Sequence, residues 1–338
     1  MPHEPRRRHM TGARGFTLVE LLVSMGVVVL LLTFVMRLVS GTTATITTSN
    51  KQLDTASLAR IVLDRIGNDL SGAVFTGGAT ILHYSEAGDT GNSAMAFVSG
   101  SRARGPTTQT SAWTTDTRSA FIGYKVRLVA QNVGGSSPRI PALNRGDGRF
   151  TFSTQDADNK ATYRVWDVFG ANNTRMPNDL VTVPPANDEG ILNWQIAASG
   201  IFRMHVSFVL DDGRIVQTPP LYRNFFANGD PTAIGCIPIA FSSANSADAG
   251  KRYVKGLVVG VAVLDEQTRN LAYRADNNFA TTISGKIVRP TVDGETPAEV
   301  WDRNLRTLTS NAPSDANYLF PPVRQNIRFY QRFYGVTL

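Results

Sequence analysis

Residues 16–36 are almost wholly apolar, with a single acid, Glu20, near the start of the run. A short basic stretch with Arg6, Arg7, Arg8 and Arg14 precedes it, and Arg37 is the one cation between it and Lys51. At about 1.5 Å per residue a helix of this length measures roughly 31 Å, close to the 30 Å or so of a bilayer's hydrocarbon core. The pattern predicts one membrane-spanning helix. The cations ahead of it place the amino terminus in the cytoplasm and the rest of the chain outside. Residues 38–50 are rich in Thr, a poor helix former, so a bend or local melting is expected there. Over residues 51–70 helical spacing returns. Leu53, Leu58, Ile61, Val62, Ile66 and Leu70 are expected mainly on one face, with Asp54, Arg60, Asp64, Arg65 and Asn68 largely elsewhere. This amphipathic part should end near Ser71 and Gly72.

The period then changes from helix to strand. Residues 94–99, 120–129, 149–153, 162–169 and 202–210 read as strands. Asp211, Asp212 and Gly213 form a hairpin turn signal leading into 214–217. The nearly continuous apolar run 254–264 is expected to be a buried central strand. Stretches 100–118, 131–148 and 226–250 are rich in Gly, Ser, Thr and Asn and read as surface loops. Thr296 and Pro297 suit the start of a helix continuing through Glu299 to Leu308. The tail, 323–334, puts Ile327, Tyr330 and Tyr334 on one helical face. It also alternates well enough for a strand, but helix is the expectation. The fold class is α+β: a long amino-terminal helix packed on a mainly antiparallel sheet.

The order of parts at the amino terminus carries further information. A secretory signal peptide has its small-residue cleavage site after the apolar run. Here the small residue, Gly15, stands before it. The string GFTLVELLV, from Gly15 to Val23, resembles the class III signal of type IV pilins and type II secretion pseudopilins. That resemblance implies cleavage by a prepilin peptidase between Gly15 and Phe16, with N-methylation of Phe16. Glu20 matches the family's acid at the fifth mature position, which meets the free amine of a neighbouring subunit and fixes register in the filament. The physical rationale is that an ionisable group inside a membrane helix is costly and so needs a reason. A Glu in the first helix turns is also favoured by the helix dipole alone.

On this resemblance the chain divides into a basic leader (1–15), a transmembrane half-helix (16–36), an amphipathic continuation (37–72) and an extracytoplasmic α+β domain (73–338). The expected fold is pilin-like. The expected role is a structural minor subunit of a type II secretion pseudopilus or type IV pilus-like filament, held in the inner membrane with its body in the periplasm. Its partners would be other pilin or pseudopilin subunits, the prepilin peptidase and the membrane. Size and the stretch ARIVLDRIGNDLSGAV (59–74) resemble J-type minor pseudopilins, and the arrangement is also similar to protein C of the Verru_Chthon cassette. A DNA-uptake or adhesion pilin, or a membrane-tethered enzyme, are the competing readings.

Composition narrows these. Net charge is +7, of which the leader's four Arg and one Glu supply +3, leaving +4 without a dense basic run. A nucleic-acid partner is therefore not expected. The lone Cys236 cannot form an intrachain disulfide, unlike many major pilins. Outside the leader only His83 and His205 remain, and His205 is expected on a strand surface. No hydrolase, phosphate-loop or metalloprotease motif occurs, so no enzymatic activity and no cofactor are expected. Asp156, Asp158 and Asn159 alternate as calcium ligands do, but lack the EF-hand glycine and distal Glu, and read as a solvated turn. Phe329, Tyr330, Phe333 and Tyr334 interleave with Arg328 and Arg332, as in a partner surface or as aromatics docked in the core.

Overall fold

The computed structural model describes residues 17–73, 81–85, 91–100, 120–130, 139–149, 193–220, 236–240, 246, 250, 252–276 and 278–336. The strand expected over 162–169, the Asp156–Asn159 turn, residues 101–118 of the expected loop and residues 150–153 of the strand expected over 149–153 lie outside them. Two compact units divide the chain, one up to Gln52 and one from Leu53 onward.

Helix α1 runs Leu18–Ser71 without a break. The Thr-rich stretch stays helical, so the local melting expected there does not occur. Thr42, Thr43, Thr45 and Thr47 turn their hydroxyls back onto the carbonyls of Leu38, Val39, Gly41 and Thr43 at 2.9–3.0 Å, so each hydroxyl is satisfied inside the helix. Within the second unit, α1 buries Thr55, Ala59, Val62, Leu63, Ile66, Asp69 and Leu70. The expected apolar face is therefore rotated. Leu53 and Ile61 remain 68 % and 62 % exposed, while Leu63 and Asp69 turn inward.

Among the described residues ten strands form two antiparallel sheets. The first has six: β1 (Ile81–Ser85), β2 (Ser93–Ser99), β3 (Ala120–Ala130), β4 (Arg139–Arg149), β5 (Asn193–Ala198) and β8 (Cys236–Pro238), in the order β5-β4-β3-β2-β1-β8. The second has four: β6 (Ile201–Leu210), β7 (Ile215–Val216), β9 (Val254–Val263) and β10 (Arg328–Gly335), in the order β10-β9-β6-β7. β2, β3, β6 and β9 match the sequence expectation, and Gly213 closes the β6–β7 turn with φ +85°, a conformation that favours glycine. Three expectations are corrected. The presumed loop 131–148 contains most of β4, the loop 226–250 contains β8, and the tail is a strand rather than a helix. Among the described residues of the second unit there are also four short helices: α2 (Glu266–Ala275), α3 (Phe279–Lys286), α4 (Pro297–Thr307) and α5 (Pro321–Asn326). α4 begins where Thr296 and Pro297 indicated, with the Glu299 carboxylate accepting from both the N–H and the hydroxyl of Thr296.

Two apolar cores share β9. Leu257, Val259, Val261 and Val263 face a core built from α1, the six-stranded sheet and Met204, Val206 and Phe208 of β6. Ala262 faces a second core with Tyr273, Phe279, Ile283, Trp301, Val323 and Ile327 of the helical layer. Burial on both faces explains the uninterrupted apolar run of β9. β6 contains a bulge at Phe202, since Ile201 pairs with Val263 and Arg203 with Ala262. The extra residue reverses the alternation, sending Phe202 to the second core and Met204, Val206 and Phe208 to the first.

The edge strand β10 ties the end of the chain to α1. Tyr334 donates its hydroxyl to the Leu63 carbonyl at 2.6 Å, Arg332 pairs with Asp64, and the hydroxyls of Thr55 and Tyr330 meet at 3.4 Å. On the other face Phe329 lies against Trp301, while Phe333 stays exposed. Three of the four tail aromatics are thus used inside the fold. Gly67 makes room for this contact: a Cβ there would lie 2.8 Å from the Tyr334 ring. Gly67→Ala would gain up to about 1 kcal/mol in helix propensity, yet the ring it displaces is pinned by its hydrogen bond. We expect a net loss of about 1–3 kcal/mol, measured by denaturant unfolding. Net stabilisation would show that Tyr334 moves freely.

Candidate functional site

Gly15 and Phe16 lie outside the described residues. The helix beginning just after them is described, and its start follows from a short-range signal. Thr17 precedes α1, and the Glu20 N–H donates to its Oγ1 at 3.3 Å. Thr17-x-x-Glu20 is the spacing of a capping box, a signal the sequence reading passed over. Glu20 therefore sits in the first turn, where the positive end of the helix dipole favours an acid. Among the described residues nothing donates a hydrogen bond to its carboxylate. The apolar residues that follow, from Leu18 through Val39, are exposed. Among the described residues, α1 is the one helix long and apolar enough to cross a membrane, with a mean hydropathy of 2.6 over its best 18-residue window.

Two buried polar clusters stand out in the second unit. In the first, Asp69 of α1 is the acceptor. Arg145 of β4 donates from Nε to Oδ2 at 2.7 Å and from Nη2 to Oδ1 at 3.3 Å, and Tyr124 of β3 donates its hydroxyl to Oδ2 at 2.5 Å. Asp147 lies 3.5 Å from the same guanidinium. Burial, then the Asp69 charge, pushes the Tyr124 phenol well above its ordinary value, so it remains a hydrogen-bond donor. This fork holds the last turn of α1 to the six-stranded sheet.

The second cluster centres on His205, which is 2 % exposed and not on a strand surface as the sequence suggested. The β6 bulge fixes which residues lie on either side of it, and the start of β2 meets the strand at its edge: Asn92 Oδ1 accepts the Met204 N–H at 3.1 Å. Gln217 Nε2 lies within donating distance of the carbonyls of Val292 and Glu295, at 3.3 and 2.9 Å. Its Oε1 must then be the atom facing Ser207 Oγ, at 2.9 Å, and His205 Nε2, at 3.1 Å. His205 consequently carries its proton on Nε2, and Nδ1 accepts from the Ser93 hydroxyl at 3.0 Å. Burial, opposed by the Gln217 hydrogen bond and aided by Arg289 and Arg203, pushes His205 down to about 4. His83, stacked edge-on against Phe208 at 4.9 Å, is pushed down to about 3 by burial, then by His205 and Arg289.

A serine donating to a neutral histidine held by a third group has the layout of a nucleophile and its base. Ser93 is fully buried, however, and no substrate atom can approach its Oγ in this conformation. The cluster acts as a clasp between strands. Among the described residues no group of three His, Cys, Asp or Glu side chains is placed to hold a metal ion. Cys236 pairs through its backbone with Tyr84 in the β8–β1 ladder.

Removing one partner of a buried pair leaves the other charge uncompensated. Asp69→Ala is expected to cost about 3–5 kcal/mol, seen as a lower Tm, and Asp69→Ala combined with Arg145→Met should cost less than the sum of the two single changes. Strict additivity would mean that the fork is not an energetic unit. No protein-family model matches the chain, and no curated protein matches it in sequence.

Proposed function

We propose that the chain is a pilin-like minor subunit: anchored in a membrane by the apolar part of α1, freed of its leader between Gly15 and Phe16, and assembled through that helix with sister subunits into a filament of the type IV pilus or type II secretion kind. The observation that carries the reading is the sequence Gly15-Phe16-Thr17-Leu18-Val19-Glu20 set immediately against the start of an exposed apolar helix.

The energetics are consistent with this. Fourteen Leu, Val and Phe residues lie within 16–36. At roughly 0.3–0.6 kcal/mol each at the membrane centre, they favour insertion by about 4–8 kcal/mol. That outweighs the roughly 2.5–3.5 kcal/mol that an acid costs at mid-membrane, and Glu20 lies near one end. A cut after Gly15 would leave a new amine two residues ahead of the Leu18 start of α1. Glu20 supplies a carboxylate one turn away, and in low dielectric it gains most from pairing with an amine on another chain. Among the described residues of the second unit the two polar clusters, around Asp69 and His205, are buried or nearly so.

Co-expression with a prepilin peptidase followed by intact-mass measurement is expected to give a chain beginning at N-methylated Phe16. A chain that keeps its leader, or is cut beyond Met36, overturns the reading. Glu20→Gln should leave cleavage and membrane insertion unchanged while lowering by at least tenfold the yield of crosslinked multimers. Unchanged multimers would remove Glu20 from assembly.

A further inference from the structure

The four-stranded sheet has two outer strands, and the fold treats them differently. At β7 the outer edge is covered: the Gly294 N–H donates to the Ile215 carbonyl at 2.8 Å, and Asp293 Oδ1 accepts the Gln217 N–H at 3.0 Å. Where β6 runs past β7, Asn92 accepts the outward Met204 N–H. β10, on the opposite side, has no such cover. The Val336 N–H meets the Lys255 carbonyl at 2.8 Å, and that pair continues the β9–β10 register. Alternate residues therefore turn their backbone groups to β9, while Phe329, Gln331, Phe333 and Gly335 turn theirs outward. Among the described residues none bonds to these outward groups, and Gln331, Arg332, Phe333 and Gly335 are exposed.

Exposed edges are commonly kept short, or broken by proline or a bulge. β10 has eight residues, no proline and an unshifted register with β9. Its two faces differ in chemistry. Tyr330, Arg332 and Tyr334 contact α1, and Arg328 shares their side by alternation. Asp64 is shared by Arg332 and Arg60, and Arg328 donates to the carbonyls of Gln325 and Ile327 instead of to an acid. Three guanidiniums thus meet one carboxylate on this side. The other face carries Phe329, Gln331 and Phe333. A Cβ on Gly256 would lie 2.4 Å from the Phe333 ring, so the ring rests on the β9 backbone while 55 % of the residue stays exposed.

We propose that β10 is a strand-addition site for an extended segment of a partner protein, one with acids at alternate positions and apolar residues between them. Its backbone would pair with the outward groups of Phe329, Gln331, Phe333 and Gly335, which supplies affinity for any extended chain. Selectivity comes from the side chains: acids fall beside Arg328 and Arg332, and apolar residues beside Phe329 and Phe333. A second β10 is a poor occupant, because it brings two more guanidiniums to an edge already in positive excess. The site lies in the second unit and needs no cleavage after Gly15, so it stands or falls separately from the filament reading.

The test uses the full chain in detergent micelles at pH 7 with a short synthetic peptide alternating valine and glutamate, and a second alternating valine and lysine. Hydrogen exchange is read residue by residue with electron-transfer fragmentation. Without peptide, the amides of Gln331, Phe333 and Gly335 should exchange freely, whereas those of Tyr330, Arg332 and Tyr334 are protected by β9. The glutamate peptide should protect the outward set. By fluorescence anisotropy it should bind roughly tenfold or more tightly than the lysine peptide. Gln331→Pro removes an outward N–H and the Ala298 hydrogen bond but no bond to β9, so it should fold and lose the peptide. Arg332→Glu should reverse the preference between the peptides. Binding of neither peptide, equal binding of both, or binding that leaves the outward amides exchanging overturns the proposal. Outward amides already protected without peptide, together with a dimer in sedimentation, would assign the edge to a second copy and overturn it as well.

Discussion

A strand that buries both faces must be supplied with two apolar layers, and the second unit is arranged to meet that demand at β9. Leu257, Val259, Val261 and Val263 go to α1 and the six-stranded sheet, and Gly260 and Ala262 face the helices. A half-exposed strand needs only one layer and tolerates polar residues on its other side. β6 and β10 pair both its edges. The two neighbours solve different problems. β6 uses a bulge to divide its side chains between the layers, and β10 uses its free side to reach the helix.

The polar clusters sit where this layering leaves backbone edges or helix ends to be tied down. Asp69 gathers a guanidinium and a phenol at the last turn of α1. His205 and Gln217 do the corresponding work where the two sheets meet. Both clusters carry their hydrogen bonds in side chains that local patterning treats as surface residues. Such networks are costly when half-satisfied and specify one arrangement when complete.

How legible this was in the sequence depended on how local the cause was. The apolar helix, the β6–β7 turn, the start of α4 and the double burial of β9 each arise from residues within one turn or strand, and each was readable. β4 was not. Pro141, Gly146 and Gly148 look like loop residues, and the segment is a strand because it pairs along its length with β3 and, over 143–147, with β5. The tail carries Tyr330 and Tyr334 four apart, which fits a helix, but β9 requires an edge partner and that settles the conformation. Leu53 and Ile61 misled for the complementary reason: hydrophobicity marks what can be buried, and the sheet selects the face. At the amino terminus, Glu20 was visible as an acid in an apolar run, whereas the capping role of Thr17 was overlooked although its signal spans only four residues.

The bond from Tyr334 to Leu63 joins positions 271 residues apart. At roughly 5–20 residues per second, a ribosome takes about 14–54 s to deliver the second partner after the first. Throughout that interval Ala59, Val62 and Ile66 have no carboxy-terminal strand beside them, so a newly made helix must be kept from sticking to other surfaces. The last layer over this face of α1 is therefore also the last to be made, and the packing of the helix is complete only once position 334 has been synthesised.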